Sequence, residues 1–228
     1  MKPIVRWTCG IHNPDSYFSL NLSIESFYKI YKDNFDYYVC YNNCNPDLIT
    51  KNVKVKLLNQ ENYVDSLPCP PAYTSWKLYP PSINDNTHEI FIDNDLVIYN
   101  HMPMLDVLLQ KNIPIITEGY HRRFGKYDDK IQENIKLNSG FIGIPPKFNF
   151  GDKIIKVLHG DLWEGWFDEQ GVVAAILSNH EYFQIIPLDF INICFENFCF
   201  GKYGIHFIGI NNNTNNFWKR FFKKFKLL

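Results

Sequence analysis

A short apolar run that ends in two aspartates, one residue apart, constrains this fold more than any other feature. Glu89–Ile92 reads as a buried strand, and Asp93-Asn94-Asp95 follows it directly. Residues i and i+2 of an extended segment point the same way, so the carboxylates of Asp93 and Asp95 can converge. Two carboxylates at the open end of a strand suit Mg²⁺ or Mn²⁺ when phosphate and water complete the shell. The pattern therefore predicts a divalent-cation site at a sheet edge.

Strands alternate with helices along the chain, and most clearly in its first half. The predicted strands are 3–8, 36–41, 53–58, 89–92, 96–99, 115–117, 141–144 and 182–187, and the predicted helices are 15–31, 74–83, 102–110, 152–158 and 169–177. This order is typical of an α/β sandwich with a mostly parallel central sheet. In such sheets ligands bind beyond the carboxyl ends of the strands, where Asp93 and Asp95 would lie.

Composition narrows the class of protein. With 228 residues, 46% of them hydrophobic and 17% aromatic, the chain can bury one full core. The formal net charge of −1 gives no general nucleic-acid-binding surface, and we expect no nucleic-acid partner. The six cysteines form no Cys-x-x-Cys and no zinc-spaced cluster, which favours reduced core thiols. No signal-peptide pattern and no bilayer-length apolar stretch is present, so the sequence predicts a cytoplasmic protein.

Four further motifs accompany the acidic pair in a fixed order. They are Trp76-Lys77-Leu78, Leu137-Asn138-Ser139-Gly140-Phe141, Asp168-Glu169-Gln170 and Gly204-Ile205-His206-Phe207-Ile208-Gly209. Each has an ordinary structural explanation when taken alone: a surface lysine, a turn, a helix cap and a core histidine. It is the ordered set that carries information.

Together with the acidic pair, this set resembles the metal-dependent glycosyltransferases of the GT-A fold, and most closely the glycogenin and bacterial lipopolysaccharide galactosyltransferase group. The resemblance spans about residues 3–218. It implies a single GT-A domain over residues 1–216, which is a Rossmann-like α/β sandwich. The implied reaction is sugar transfer from a nucleotide-sugar, with UDP as the expected nucleotide, to a glycan or lipid-linked acceptor. Membership of this group would also imply retention of the anomeric configuration.

The resemblance also implies roles for individual residues. Mn²⁺ or Mg²⁺ would be held by Asp93, Asp95 and His206. The nucleotide-sugar would be bound by Trp7, Thr8, Cys9, Lys77, Asp93, Asn94, Asn138, Ser139, Gly140 and Gly209. Lys77 would act as a point charge on the phosphates or donor sugar, and Gly140 would allow close backbone approach. The catalytic residues would be Asp168, Glu169 and Gln170, near the anomeric carbon and the acceptor.

The sequence departs from the group's pattern in two places. Glu169 stands where the group has the Asp of an Asp-Gln pair, so the register of the catalytic carboxylate is open. In an inverting reaction Asp168 or Glu169 would be the general base on the acceptor hydroxyl. The group's Lys-Pro-Trp after the histidine motif is absent, and residues 211–216 are almost all asparagine. A phosphate-binding lysine is therefore missing or displaced to Lys219.

Two other classes of function stay open. One is a sugar nucleotidyltransferase on a related sheet, although the chain has no Gly-rich, basic loop after its first strand. The other is a non-catalytic carbohydrate-binding module. A metal-dependent response to UDP and an assay for pyrophosphate release would separate these classes from a glycosyltransferase.

Residues 217–228 form a basic amphipathic tail. They hold five of the chain's 23 Lys/Arg residues and no acid, so the rest of the chain is acidic overall. On a helix Phe217, Phe221 and Phe225 would share one face, with the basic residues largely opposite. Such a helix favours peripheral contact with an anionic membrane surface. The alternative is a terminal helix packed on the domain.

Overall fold

The computed structural model of the chain describes residues 1–10, 14–194 and 199–208. Gly209, Lys219 and the basic tail over residues 217–228, for which we expect roles, lie outside the described residues. Within the described ranges, no helix combines the length and the apolar character needed to cross a membrane.

Ten strands and four α-helices are formed by the described residues. The strands are β1 (Ile4–Cys9), β2 (Asp36–Tyr41), β3 (Val55–Asn59), β4 (Glu89–Ile92), β5 (Leu96–Ile98), β6 (Ile115–Glu118), β7 (Leu137–Ile144), β8 (Gln184–Ile186), β9 (Ile191–Ile193) and β10 (Gly204–His206). The helices are α1 (Pro14–Tyr31), α2 (Pro103–Lys111), α3 (Phe150–Leu158) and α4 (Asp168–Ser178). Most of them match the predicted ranges closely.

A seven-stranded sheet in the order β3-β2-β1-β4-β7-β6-β8 forms the centre of the fold. Only β7 runs antiparallel to its neighbours, and the other pairings in this sheet are parallel. The expectation of an α/β sandwich with a mostly parallel sheet is therefore confirmed. Strands β2 and β3 lie on one side of β1, and β4 lies on the other side. The order in which strands are added to the sheet therefore reverses between β1 and β4, although the two strands are parallel. A crevice at such a switch point is where open α/β sheets bind ligands.

Apolar side chains cover both faces of this sheet. The alternation along β4 shows the two layers: Ile90 and Ile92 pack in the core that contains residues of α1 and α2. Phe91 points the other way, into the core that contains residues of α3 and α4. A strand that is buried on both faces loses the alternation of apolar and polar residues, as this one does.

Two predicted elements differ from the structure, and two of the observed strands were not predicted. Residues 74–83 form only a 3-10 helix over Tyr73–Leu78, because the prolines at 80 and 81 cannot donate the N–H that a longer helix needs. Strand β7 begins at Leu137, so Asn138-Ser139-Gly140 lies in a strand and not in a turn. Strands β9 and β10 were not predicted, because three residues are too few to show a period.

Strand β5 leaves the central sheet instead of continuing β4. It forms a second sheet in the order β5-β10-β9, in which His206 lies opposite Leu96 in an antiparallel pair. The Phe207 N–H donates to the carbonyl of Asp95 at 2.9 Å. This small sheet therefore brings the His206 region of the chain directly beside the acidic pair.

A buried ion pair fixes the segment that carries Lys77. The Arg6 guanidinium lies 2.7 Å from the Glu89 carboxylate, and both side chains are almost fully buried. Arg6 also donates to the carbonyls of Lys77 and Pro80, while the other oxygen of Glu89 accepts from the Ile83 N–H at 2.9 Å. Because both ends of the pair hold backbone groups of residues 77–83, this segment is anchored to β1 and β4.

We expect Glu89→Gln to lower the free energy of unfolding by about 3–5 kcal/mol, because it leaves the Arg6 charge buried without a counter-ion. The matched control is Asp36→Asn, which removes an exposed ion pair with Lys56 at 3.2 Å and should cost less than about 1 kcal/mol. Urea denaturation of the three proteins measures both values. Equal losses in the two variants would contradict the structural role of the buried pair.

Candidate active site

A cavity of about 770 Å³ opens at the carboxyl ends of β1, β2 and β4. Its size is within the range of small-molecule sites in proteins. The structure brings many of the predicted site residues to its wall: Thr8, Lys77, Asp93, Asn94, Asp95, Asn138, Ser139, Glu169, Gln170 and His206. These residues come from elements far apart in the sequence, so the cavity depends on the complete fold.

The three predicted metal ligands converge at the end of β4. The Asp93 N–H donates to the carbonyl of Gly140, and the Leu96 N–H donates back to the carbonyl of Asp93. The acidic pair therefore lies in a turn and not in extended backbone, yet the two carboxylates still lie close together. Nε2 of His206 lies 3.0 Å from Asp95 Oδ1 and 3.5 Å from Asp93 Oδ2. One ligand atom from each of the three residues lies within 4.8 Å of the others.

This donor set fits a divalent cation. Carboxylate oxygens and imidazole nitrogen are ligands that Mn²⁺ accepts well. Nδ1 of His206 is buried and has no hydrogen-bond partner among the described residues, so no described side chain orients the ring from behind. Packing orients it instead: a Cβ built on Gly140 would lie only 2.3 Å from Cε1 of His206. Because Gly140, in the middle of β7, has no side chain, it leaves the space that the imidazole occupies.

The protonation of His206 is coupled to the acidic pair. Burial by itself would lower the pKa of His206, but the carboxylates of Asp95 and Asp93 outweigh burial and raise this pKa to about 9. Burial would raise the pKa of Asp93, whereas Lys77 and His206 hold it well below its usual range. Without a cation His206 therefore carries a proton at neutral pH, and cation binding would release that proton.

Lys77 joins the acidic pair to β7 and α4. Its buried ammonium lies 2.6 Å from Asp93 Oδ1 and 3.6 Å from Glu169 Oε1, and it donates to the carbonyl oxygen of Ser139 at 3.0 Å. Burial would lower the pKa of Lys77, but the two carboxylates outweigh burial and raise it. The side chain therefore keeps its positive charge inside the protein. The reading of Lys77 as a surface lysine is wrong, because its side chain is buried.

Glu169 and Gln170 face the same cavity from the first turn of α4. Burial raises the pKa of Glu169 to about 7, with a smaller opposing effect from Lys77. Its Oε2 accepts from the Ser139 hydroxyl at 3.1 Å, while its buried Oε1 has no hydrogen-bond partner among the described residues. Gln170 accepts from the Ser139 N–H and the Asn138 amide, both at 3.2 Å. A carboxyl group that titrates near neutral pH can hold or accept a proton during a reaction.

Solved structures provide a comparison for this architecture. The crystal structure of galactosyltransferase LgtC in complex with donor and acceptor sugar analogs is similar, with a TM-score of 0.62, 11% sequence identity and 94% of each chain covered. The bifunctional glycosyltransferase WbbM has a TM-score of 0.66 and 16% identity over 91% of this chain and 46% of WbbM. Mouse xyloside xylosyltransferase 1 has a TM-score of 0.58 and 11% identity, covering 86% of this chain and 89% of the enzyme.

The chain has the GT-A glycosyltransferase fold. This confirms the fold that the ordered motifs implied. No protein-family model matches the sequence, and no curated protein matches it. At 9–16% identity the likeness to solved structures rests on three-dimensional arrangement alone.

Four of the predicted site residues do not present their side chains to the GT-A cavity. Trp7 and Cys9 are buried in the core, because alternate residues of β1 point that way while Thr8 lies at the cavity wall. Gly140 does not line the cavity, since its open space is filled by His206. Any contact of these three with a nucleotide-sugar would have to come from their backbone.

Asp168 is the fourth of these residues, and its carboxylate is committed to the backbone. Oδ2 accepts from the N–H groups of Glu164 at 2.7 Å and Gly165 at 2.9 Å, and Oδ1 accepts from the Lys126 N–H at 3.2 Å. These three bonds hold the backbone of two neighbouring segments, and Asp168 does not line the cavity. Of the two candidate carboxylates, the structure therefore places Glu169 and not Asp168 at the cavity.

Several cavity residues were not predicted from the sequence. Asn42 follows β2 and donates to Gln60 at 2.7 Å, which fixes its amide at the cavity wall. Other cavity residues that were given no role are aromatic or basic. They are Tyr73 and Trp76 in the 3-10 helix, and Tyr120, Arg123, Trp166 and Phe167 in loops. The available signal was the concentration of tryptophan and phenylalanine among polar residues over 161–168, which is unusual for a solvent-exposed loop.

We expect Gly140→Ala to weaken Mn²⁺ binding by about 10–100-fold, because the added methyl group would displace the His206 ring. Calorimetric titration with Mn²⁺ in the presence of UDP measures this. Gly151→Ala in α3 is the control, since its Cβ meets nothing closer than 3.5 Å and alanine favours helix. Unchanged Mn²⁺ affinity in Gly140→Ala would exclude His206 as a ligand.

The raised pKa of Glu169 makes stability depend on pH with a defined sign. The folded-state pKa of about 7 lies above the usual value of 4.5. The wild type should therefore lose stability relative to Glu169→Gln as pH rises from about 4.5 to about 7, and the difference should stay constant above that. The difference should reach about 3 kcal/mol, at about 1.4 kcal/mol per pKa unit. Urea denaturation of both proteins in EDTA at several pH values measures it. A constant difference would mean that Glu169 titrates normally.

Proposed function

We propose that this chain is a metal-dependent glycosyltransferase that moves a sugar from a nucleotide-sugar, expected to be a UDP-sugar, to a glycan or lipid-linked acceptor. One observation carries the proposal: Asp93, Asp95 and His206 meet at the wall of a large cavity in a GT-A fold. LgtC, which shares the fold, was crystallised with donor and acceptor sugar analogs, and this supports the same use of the cavity here.

Asp93, Asp95 and His206 would hold the cation, Mn²⁺ or Mg²⁺. When bound there, a divalent ion would neutralise charge that develops on the nucleoside diphosphate as it leaves. Lys77 lies on the same side of the cavity and keeps a positive charge, so it can attract the phosphates or the donor sugar as a point charge. The nucleoside would lie over the ends of β1 and β2, near Thr8 and Asn42.

The transfer breaks the bond between the anomeric carbon and a phosphate oxygen, and the electron pair leaves with the diphosphate. The acceptor hydroxyl oxygen bonds to the same carbon and loses its proton. Glu169 is the described carboxylate suited to act beside this carbon, because its pKa is near 7 and Oε1 accepts no hydrogen bond from the described residues. In an inverting reaction it would take the acceptor proton directly.

The motif likeness favours retention of configuration, in which the acceptor attacks from the side that the diphosphate leaves. Glu169 and the amide of Gln170 would then stabilise positive charge at the anomeric carbon, and the acceptor proton would pass to the oxygen of the departing diphosphate on the same face. The anomer of the product, read by NMR against that of the donor, distinguishes the two courses. If the acceptor is lipid-linked, the basic tail over residues 217–228 would hold the enzyme at an anionic membrane surface.

A screen of nucleotide-sugars for Mn²⁺-dependent release of the nucleoside diphosphate tests the proposal. We expect UDP release that EDTA abolishes. Asp95→Asn should reduce this release by more than about 100-fold, because losing a metal ligand costs more than losing a residue that only orients a ligand. The control is Asp106→Asn, an exposed carboxylate paired with His101 outside the cavity, which should retain the wild-type rate.

Three outcomes would contradict the proposal. Full activity in EDTA would remove the metal from the reaction. Release of pyrophosphate instead of UDP would identify a nucleotidyltransferase. Failure of every nucleotide-sugar to be turned over, together with saccharide binding that ignores Mn²⁺ and UDP, would identify a carbohydrate-binding module.

A further inference from the structure

Four exposed aromatic rings line the cavity. Trp166 is 65% exposed, Tyr73 48%, and Tyr120 and Phe167 both 43%, and all four line the cavity. Single exposed apolar residues are normal on a protein surface, but a group of them around one opening marks a binding surface. The roles proposed for the metal ligands and for Lys77 do not require these four rings.

Tyr73 and Trp166 form the centre of this group. Their ring centroids lie 5.7 Å apart at an angle of 53°, and both residues line the cavity. The Thr74 hydroxyl donates to the carbonyl of Trp166 at 2.7 Å. The loop that carries Trp166 is also fixed by the Asp168 carboxylate, which accepts from the N–H groups of Glu164 and Gly165. The backbone that carries the Trp166 ring is therefore held in place before a ligand arrives, and this reduces the entropy cost of binding.

The position of the rings indicates which substrate they would meet. Trp166 lies three residues before Glu169, at the opening into which α4 directs Glu169 and Gln170. The strand ends that would receive the nucleoside are formed by other residues, including Thr8 and Asn42. A molecule lying against Tyr73 and Trp166 would thus approach the transfer point from the acceptor side.

The chemistry of the rings indicates what kind of acceptor fits. A pyranose ring has an apolar face of C–H groups and a polar edge of hydroxyls. Aromatic rings with a polar handle, such as tyrosine and tryptophan, match that combination. The cavity carboxylates Asp93, Asp95 and Glu169 lie among the metal-site and Lys77 contacts and not among these rings. The charged group beside the rings is Arg123, whose guanidinium lies 5.5 Å from the centroid of Phe167.

We propose that Tyr73 and Trp166 form a stacking platform for a pyranose ring of the acceptor. The inference rests on the proposed glycosyltransferase function and deepens it, because it assigns the acceptor to the class of glycans. An acceptor that offers only a lipid or peptide hydroxyl would leave this platform unused.

Saturation-transfer NMR on the full chain tests the platform directly. The probes are the neutral disaccharides lactose, maltose, cellobiose and sucrose, each added with Mn²⁺ and UDP. We expect at least one of them to bind, and Trp166→Ala to weaken its binding by about tenfold. Trp166→Phe should restore part of the affinity, because it keeps a ring face, and Tyr73→Ala should weaken binding independently. The matched control is Tyr182→Ala, because Tyr182 is 66% exposed and does not line the cavity.

The outcomes separate this inference from the proposed function, because saccharide binding needs no turnover. Saturation transfer to no disaccharide, or equal binding by Trp166→Ala and Tyr182→Ala, overturns the platform even if UDP-sugars are hydrolysed. Binding only of a detergent-dispersed polyprenyl phosphate overturns it as well. Saccharide binding that depends on Trp166 in a chain that hydrolyses no nucleotide-sugar supports the platform while the transfer reaction fails.

Discussion

A lysine ammonium enclosed in protein has to be matched by negative charge and carbonyl oxygens, and the site around Lys77 is built on that requirement. Its partners come from the turn after β4, from the middle of β7 and from the start of α4. Removing one member would leave the others as buried, unpaired charges, which costs far more than a lost surface ion pair. These contacts therefore hold the three segments in one relative position around Lys77, at the charged part of the cavity wall.

The buried ion pair of Arg6 and Glu89 supports the segment that carries Lys77. It holds the backbone of residues 77–83 against β1 and β4, so the position of Lys77 depends on a second set of charges on the opposite side of the same segment. The metal-site geometry depends on packing in a similar way, since the His206 ring occupies the space left by Gly140. Charge pairing thus fixes the position of Lys77, and close packing fixes the position of His206.

Local sequence patterns were enough to predict most of the central sheet and the helices, because burial on both faces gives strands such as Glu89–Ile92 a continuous apolar run. The ordered motifs were enough to predict the GT-A fold. What could not be predicted depended on long-range pairing. Strand β10 is recognisable only once β5 is seen beside it. The side chains of Trp7 and Cys9 point into the core because their face of β1 packs against α1. The sequence of β1 does not show which face that is. The role of Gly140 required knowledge of where His206 would lie.

The carboxylate of Asp168 has a mechanical consequence. It is bonded at once to the backbone of Lys126 and to that of Glu164 and Gly165, and the Lys126 ammonium crosses the same gap to Glu164 at 2.8 Å. The two loops on either side of this bond cannot open separately without breaking it. We expect them to form one cooperative unit in hydrogen exchange, with the amides of Lys126, Glu164 and Gly165 sharing a single opening equilibrium. A saccharide seated on the Trp166 loop would slow the exchange at Lys126, across the gap, without touching it.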